Sequence, residues 1–275
     1  MWGEIMSKYK AVISDLDGTL LTSNRVVSEF SKEIINKIMD KGIKFYIATG
    51  RVYPNTKEIM ESIGIEVPLI TSNGSRVNDK DGTLLYSNPI EKKFINDICE
   101  IDYKKHGEEI FLNAYIDDEW IVSGHLPEKA EIKLEEWNLD YPMIMPLNEI
   151  ATKEISKFFY IGEHENLLKL ERELLDVSNG ELNVVFVSPD CLEVFNLKSN
   201  KANAIRFILE REGIEMSEAV AFGDGFNDYE MLQEVGKGYV MGNAFYRLSE
   251  ALPDNEVIGT CDEDAEAKKL VELFL

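Results

Sequence analysis

The 275-residue chain has a mass of 31.4 kDa, enough for one large domain or two ordinary ones with a substantial core. Its hydrophobic content of 44% and charged content of 29% are typical of a soluble globular protein, and its net charge of -22 argues against nucleic acids and anionic membranes as partners. The three scattered cysteines, the absence of a transmembrane-length apolar run and a start without a signal-peptide pattern predict a cytoplasmic protein without structural zinc or disulfides.

The first elements alternate between short apolar strands and amphipathic helices. Each predicted strand ends in small polar residues, and each helix ends near a glycine. This alternation predicts a parallel sheet with right-handed crossovers. In chain order we predict a strand at 10–14, a helix at 28–42, a strand at 43–51, a helix at 55–65 and a strand at 68–75.

The alternation of single strands and helices stops after about Gly82. We therefore predict an inserted α+β domain at 84–193 between two parts of the core, 1–83 and 194–275. Its elements are a helix at 90–105, hairpins at 110–124 and 183–196, a strand at 154–163 and a helix at 165–176. Alternation then returns, with helices at 199–214 and 262–274 and strands near 218–223 and 236–244.

Polar side chains follow several strands of the predicted parallel sheet. Asp15 and Asp17 follow the first strand, Thr49 the second and Asn73 the third. Ligands of such sheets bind beyond the carboxyl ends of the strands, so these groups are expected at one edge. Lys201, Asp224 and Asp228 are expected to join them.

Clustered carboxylates repel each other unless a cation joins them. Oxygen ligands of this kind suit Mg²⁺, which would turn repelling carboxylates into ligands. The ion would also supply the local positive charge that an acidic chain needs to bind a phosphorylated molecule. We therefore predict a Mg²⁺ site and a small phosphorylated metabolite as partner.

Five segments, in this order, resemble the motifs of the haloacid dehalogenase-like (HAD) phosphohydrolases. They are "DLDGTLLT", "ATGR", "NGS", the lysine of "SNKANAI" and "GDGFNDYEML". The order and the position of the insertion are most similar to the Cof-type subgroup, subclass IIB, which carries an α/β cap domain. The resemblance implies a Rossmann-like α/β core with a parallel sheet, and an inserted cap that selects the substrate.

The resemblance also implies the catalytic roles. Asp15 would be the nucleophile that forms an aspartyl-phosphate, and Asp17 the general acid and base. Thr49 and the amide of Gly50 would hold phosphoryl oxygens, and Lys201 would neutralise charge on Asp15 and on the transferred group.

The same resemblance implies a metal set. Mg²⁺ would be held by the Asp15 carboxylate, the carbonyl oxygen of Asp17 and Asp224. Asn227 and Asp228 would complete the inner or the outer shell, and Asn227 is also a candidate for substrate binding.

The sequence departs from the family or leaves a choice open at four places. Ala202 replaces the glycine that usually follows the motif lysine, and Lys198 competes with Lys201 for that role. Arg51 either contacts a second anionic group of the substrate or pairs with a surface carboxylate. Asn73 either contacts the substrate or only forms an Asn-Gly turn.

Weaker patterns have plain structural interpretations. The acidic runs at 117–119 and 262–266 lack EF-hand spacing and are interpreted as solvated surface rather than calcium sites. The aromatic run 158–160 is interpreted as cap core rather than a stacking platform. Cys99 and Cys191 are interpreted as buried apolar residues.

Together these observations predict a Mg²⁺-dependent phosphatase, monomeric or weakly homo-oligomeric, that acts on small metabolites such as sugar phosphates, pyridoxal phosphate or FMN. One alternative is a phosphosugar mutase of the same subclass, which would need a phosphate clamp that the cap sequence does not favour. The other is a protein that binds a phosphorylated ligand without turnover, which would have little reason to keep Asp17.

Overall fold

The computed structural model describes residues 8–126, 131–132 and 141–275, which form two compact units. The core unit comprises residues up to Ser87 together with Ser199–Leu275, and the inserted unit is Asn88–Lys198. The sequence analysis set the insertion at 84–193. The first part of the core ends with a hairpin that runs to Ser87. This hairpin interrupts the alternation of strands and helices, so the boundary lies a few residues later than predicted.

The strands are short, as expected for a twisted sheet. In chain order they are β1 (Ala11–Ser14), β2 (Lys44–Ala48), β3 (Leu69–Thr71), β4 (Arg76–Asn78), β5 (Leu84–Ser87), β6 (Phe111–Ile116), β7 (Glu119–Val122), β8 (Met143–Ile144), β9 (Lys157–Ile161), β10 (Leu182–Ser188), β11 (Cys191–Asn196), β12 (Ala219–Gly223), β13 (Lys237–Val240) and β14 (Glu256–Val257).

The helices whose full extent is described range from one to four turns. In chain order they are α1 (Glu29–Asp40), α2 (Tyr53–Ile63), α3 (Lys92–Glu100), α4 (Leu147–Ile150), α5 (His164–Ser178), α6 (Lys201–Glu212), α7 (Tyr229–Glu234), α8 (Tyr246–Ala251) and α9 (Ala265–Phe274). Across the residues that the structure describes, no helix combines the length and apolar character needed to span a bilayer.

The core unit is built on one sheet of order β14-β13-β12-β1-β2-β3-β4-β5. Pairing is parallel from β14 to β3, and it is antiparallel between β3 and β4 and between β4 and β5. The predicted α/β class with a parallel core sheet is therefore confirmed. The β4–β5 hairpin was not predicted, because strands of three and four residues carry too little periodicity to stand out.

β1 lies in the middle of this sheet and is covered on both faces. Val12 packs in a cluster with Ile38 of α1 and Leu270 of α9. Ile13, on the opposite face, packs with Ile205 of α6. A strand that is buried on both faces usually has a continuous apolar sequence, and Ala11, Val12 and Ile13 of β1 form such a run.

The ends of the first two helices follow their sequence signals. Ser28 Oγ accepts a hydrogen bond from the Ser31 amide at 3.0 Å, as an N-cap does. Gly64 ends α2 in the left-handed conformation, with φ of +71°. The prediction that this helix ends near a glycine is confirmed.

The helix predicted at 90–105 is wrong in length. α3 spans nine residues, Ile101 is extended, and Tyr103–Lys105 forms a separate 3-10 turn. Phe94 and Ile98 form the apolar stripe of α3. One further turn would place Asp102 on the buried face, so the chain leaves the helix before that position.

The inserted unit has a sheet of order β10-β11-β9-β6-β7-β8, mostly antiparallel. Phe158 and Tyr160 of β9 are fully buried in a cluster that includes Leu167 and Leu170 of α5. Phe159 points to the other face, where its ring stacks on Tyr115 with 5.6 Å between centroids. The aromatic run therefore contributes two residues to the core and one to the opposite face of the sheet.

The acidic run at 262–266 is not all solvated surface. Glu266 in the first turn of α9 is only 3% exposed, and its Oε2 lies 2.8 Å from Ser14 Oγ at the end of β1. The reason is helical spacing, because Glu266 precedes the buried Leu270 by one turn and shares its stripe. The expectation of a fully exposed acidic run is wrong at this residue.

We predict that Glu266 makes the stability of the protein depend on pH. Burial raises the pKa of Glu266 to about 8. Between the unfolded value of 4.5 and about 8 the folded chain keeps a proton that the unfolded chain releases, so stability falls as pH rises, by up to about 1.4 kcal/mol per pH unit.

Chemical denaturation of wild type and Glu266→Gln at several pH values tests this prediction. The free energy of unfolding of the wild type is expected to fall relative to the variant from pH ~5 to ~8, then to level off. A difference between the two proteins that does not change over this range would contradict it.

Candidate active site

The loop after β1 brings the first two aspartates to the carboxyl edge of the core sheet. The Asp15 amide donates to the Phe222 carbonyl at 3.0 Å, which continues the pairing of β1 with β12. Gly18 has φ of +80°, and a Cβ there would lie 2.3 Å from Asp224 Oδ2. Glycine thus allows both the turn and the close approach of the loop to Asp224.

The end of β2 supplies Thr49, Gly50 and Arg51. Thr49 is buried, and its Oγ1 accepts a hydrogen bond from the Arg51 amide at 3.1 Å. The Arg51 guanidinium forms a two-point ion pair with Asp17, with both N–O distances 2.6 Å. These hydrogen bonds raise the pKa of Arg51 above its usual value.

Of the two interpretations of Arg51, pairing with a carboxylate describes the structure. The carboxylate, however, is Asp17 of the site itself, with a half-exposed side chain. Sequence reasoning did not foresee this partner, because Arg51 and Asp17 follow different strands and meet only at the sheet edge.

Asn73 follows β3 in the left-handed conformation, with φ of +54°. Its amide donates to the Thr49 carbonyl, and its Oδ1 accepts from Asn227 Nδ2 at 2.9 Å. Gly74 comes so close to α6 that a Cβ would lie 2.1 Å from the Asn200 carbonyl oxygen. The Asn-Gly turn thus connects β3, the end of β2 and the loop that contains Asn227.

Lys201 is the first residue of α6, whose N-cap Asn200 accepts a hydrogen bond from the Asn203 amide at 2.8 Å. The Lys201 side chain is fully buried, and its Nζ donates to Asp15 Oδ1 at 2.5 Å and to Asp228 Oδ1 at 2.6 Å. Lys198 is exposed and belongs to the inserted unit. Of the two candidate lysines, Lys201 is the one that contacts the aspartates.

Asp224 and Asp228 lie in the loop between β12 and α7. Asp228 Oδ2 accepts from the amides of Asp224 and Gly225, at 3.0 and 2.9 Å. Asp224 Oδ1 accepts from Thr19 Oγ1 at 3.1 Å. Asp228 therefore shapes its own loop, while Thr19 joins that loop to the one after β1.

The charges of this cluster do not balance. Burial raises the pKa of Asp15 well above its usual value, Lys201 counteracts this effect, and Asp228 adds to it. Burial and Asp228 also raise the pKa of Asp224 to about 6. Burial alone would lower the pKa of Lys201, but Asp15 and Asp228 raise it above the usual lysine value. The cluster is thus short of positive charge.

The donor set fits a hard divalent cation. Asp15, Asp224 and Asp228 each offer an oxygen, and these oxygens lie within 4.8 Å of one another. The Asp228 oxygens already accept bonds from Lys201 and two amides. Asp15 and Asp224 are therefore better placed to ligate the ion, with Asp228 orienting their surroundings.

Several residues of the site were missed by sequence reasoning. They are Ser14, which donates to the Asp15 carbonyl at 2.7 Å, Thr19, and Asn243, which donates to the Gly18 carbonyl at 2.7 Å. Thr19 belongs to the quoted "DGT" and could have been considered. Ser14 and Asn243 carry no sequence signal of a role, because Ser14 also contacts Glu266 and Asn243 contacts the Gly18 carbonyl, both on distant segments.

The fold of the chain resembles known structures along almost its whole length. A crystal structure from Thermotoga maritima matches 96% of this chain and 97% of its own, with a TM-score of 0.84 and 27% identity. The structure of a HAD subclass IIB sugar phosphatase matches 96% of this chain and 98% of its own, with a TM-score of 0.77 and 23% identity. The second likeness concerns the fold alone.

Sequence comparison leads to the same family. A relative from Serratia proteamaculans, named HMP-PP phosphatase, is 31% identical over 262 residues, which are 95% of this chain and 94% of that protein. The family model of haloacid dehalogenase-like hydrolases matches residues 12–270. The chain therefore belongs to the haloacid dehalogenase-like hydrolases, as its five sequence motifs predict.

Proposed function

We propose that this protein is a Mg²⁺-dependent phosphatase that hydrolyses small phosphorylated metabolites through an aspartyl-phosphate on Asp15. The observation that carries the proposal is the buried contact of Lys201 with Asp15, beside Asp224 and Asp228, at the sheet edge that also holds Asp17 and Thr49. An enzyme of the HAD hydrolase family with this set has each group that phosphoryl transfer by covalent catalysis needs.

Asp15 is the proposed nucleophile. One of its oxygens is hydrogen-bonded to Lys201, so the other is available to attack phosphorus. The new bond joins a carboxylate oxygen to phosphorus while the bond to the leaving oxygen breaks. Lys201, the Thr49 hydroxyl and the Gly50 amide would hold the phosphoryl oxygens and stabilise their negative charge.

Asp17 is the proposed acid and base. It would give a proton to the leaving oxygen, then take one from the water that hydrolyses the aspartyl-phosphate. The two-point pair with Arg51 orients the Asp17 carboxylate and engages both of its oxygens. An anionic substrate group would compete for Arg51 and release Asp17 for proton transfer.

Mg²⁺, when bound, would neutralise charge between the carboxylates and the phosphoryl group. Asp15 and Asp224 would be its carboxylate ligands, and the Asp17 carbonyl oxygen a third protein ligand. Asn227 and Asp228 would lie around it, with Asn227 also within reach of the substrate. Asn73 would then act by holding the Asn227 side chain through the hydrogen bond between them.

The inserted unit is proposed to act as the cap that selects the substrate. The phosphatase names of relatives support small phosphorylated compounds as the class. Within that class we keep sugar phosphates, pyridoxal phosphate and FMN as candidates, in a cytoplasmic, monomeric or weakly homo-oligomeric enzyme. The acidic composition supports neither a nucleic acid nor an anionic membrane as substrate.

We predict that phosphate release requires both Mg²⁺ and Asp15. Wild type and Asp15→Asn would be assayed on sugar phosphates, pyridoxal phosphate, FMN, HMP-PP and an aryl phosphate, with and without Mg²⁺. Asparagine keeps the shape but lacks the nucleophilic carboxylate, so activity should fall by at least about 10³-fold. Phosphate release by Asp15→Asn at the wild-type rate would contradict the proposal.

We also predict that Arg51→Lys lowers kcat/KM by about tenfold, because an ammonium group cannot replace the two-point fork on Asp17. Steady-state kinetics on the best substrate measures the change. Arg211→Lys is the matched control, since Arg211 lies near the end of α6 beside Phe207. Equal kcat/KM values for Arg51→Lys and the control would argue against a role for the pair.

A further inference from the structure

We propose that Glu266 is a positioning residue which, as a neutral carboxylic acid, donates a hydrogen bond to Ser14 Oγ and so fixes the carbonyl of Asp15. This inference rests on the proposed role of Asp15 as nucleophile. Glu266 lies in α9, on the face of the core sheet opposite α6, and would act through Ser14 without touching the substrate.

Ser14 Oγ has two close oxygen neighbours but only one proton to donate. Ser14 Oγ lies 2.7 Å from the Asp15 carbonyl oxygen and 2.8 Å from Glu266 Oε2. A hydroxyl has one proton, and the carbonyl can only accept it. The contact with Glu266 is then a hydrogen bond only if the carboxyl group donates. The geometry therefore points to a proton on Oε2.

The surroundings of Glu266 agree with a neutral acid. The side chain is 3% exposed, and Oε1 has no hydrogen-bond partner among the described residues. An ionised carboxylate in such a place would leave much of its charge unsolvated. Burial raises the pKa of Glu266 to about 8, which agrees with protonation at neutral pH.

The chain of bonds ends at the residue that performs the proposed chemistry. The Asp15 carbonyl also accepts from the Leu20 amide at 3.3 Å, so two donors hold the first peptide of the catalytic loop. Without the Glu266 donor, no bond holds the Ser14 oxygen in the rotamer that faces the Asp15 carbonyl, so the hydroxyl can rotate away from it. Asp15 would then keep the hydrogen bond of its amide to Phe222, but its carboxylate would lose orientation.

Kinetics of Glu266→Leu and Glu266→Gln tests the role. Leucine fills the space without a donor, so kcat should fall about tenfold while KM changes less than about twofold. Glutamine can donate from its amide, so it should restore kcat to at least about half of the wild-type value. A wild-type kcat in Glu266→Leu, or a glutamine variant as slow as the leucine variant, would overturn the proposal.

Two further variants separate positioning from packing. Ser14→Ala removes the bridging hydroxyl, so Glu266→Leu should cause no further loss of kcat in that background. Leu270→Ala is the control for the packing of α9: it should lower the melting temperature and leave kcat unchanged, because Leu270 is a buried core residue. Additive effects of Ser14→Ala and Glu266→Leu, or an equal loss of kcat in Leu270→Ala, would assign the effect to packing.

Infrared spectroscopy tests the protonation of Glu266 independently of turnover. The difference spectrum of wild type minus Glu266→Gln at neutral pH should contain the C=O band of a neutral carboxylic acid, and a carboxylate band instead would overturn the proposal. A wild type that releases no phosphate would overturn the proposed function and the positioning role with it. Normal turnover in wild type together with a carboxylate band would overturn the Glu266 inference alone.

Discussion

The buried ammonium group of Lys201 is the interaction on which the site depends. It lies between Asp15 and Asp228, with both contacts at most 2.6 Å and the lysine fully buried. Each of these groups alone would be costly in the interior, and removing one partner leaves the others uncompensated. The pair of contacts therefore joins β1, α6 and the loop after β12, three segments far apart in the sequence.

Close backbone approach makes this junction possible. Gly74 allows the turn after β3 to touch the backbone just before Lys201, and Gly18 allows the loop after β1 to reach Asp224. A side chain at either position would separate segments that carry the proposed reacting groups. The glycines of the motifs thus allow the site to assemble, and the aspartates and the lysine are the residues proposed to carry out its chemistry.

Charge at the site is shared unevenly between its two sides. Around Lys201, the carboxylates of Asp15, Asp224 and Asp228 share one ammonium group. Asp17, in contrast, forms its own ion pair with Arg51. The first group is the side that a divalent cation would complete, and the second is already neutralised. In a chain of net charge -22, this local arrangement decides whether a phosphorylated molecule is attracted or repelled.

The sequence by itself determined the α/β class, most core elements and the family, because strand and helix periodicities and the five motifs are local signals. It also identified Asp15, Asp17, Thr49, Lys201, Asp224 and Asp228 as candidates, since their residue types carry the chemistry. Only the tertiary structure decided their partners: Arg51 for Asp17, Asn227 for Asn73 and Glu266 for Ser14. These contacts join residues up to 252 positions apart, and a pairing across such a distance leaves no periodic trace in one sequence.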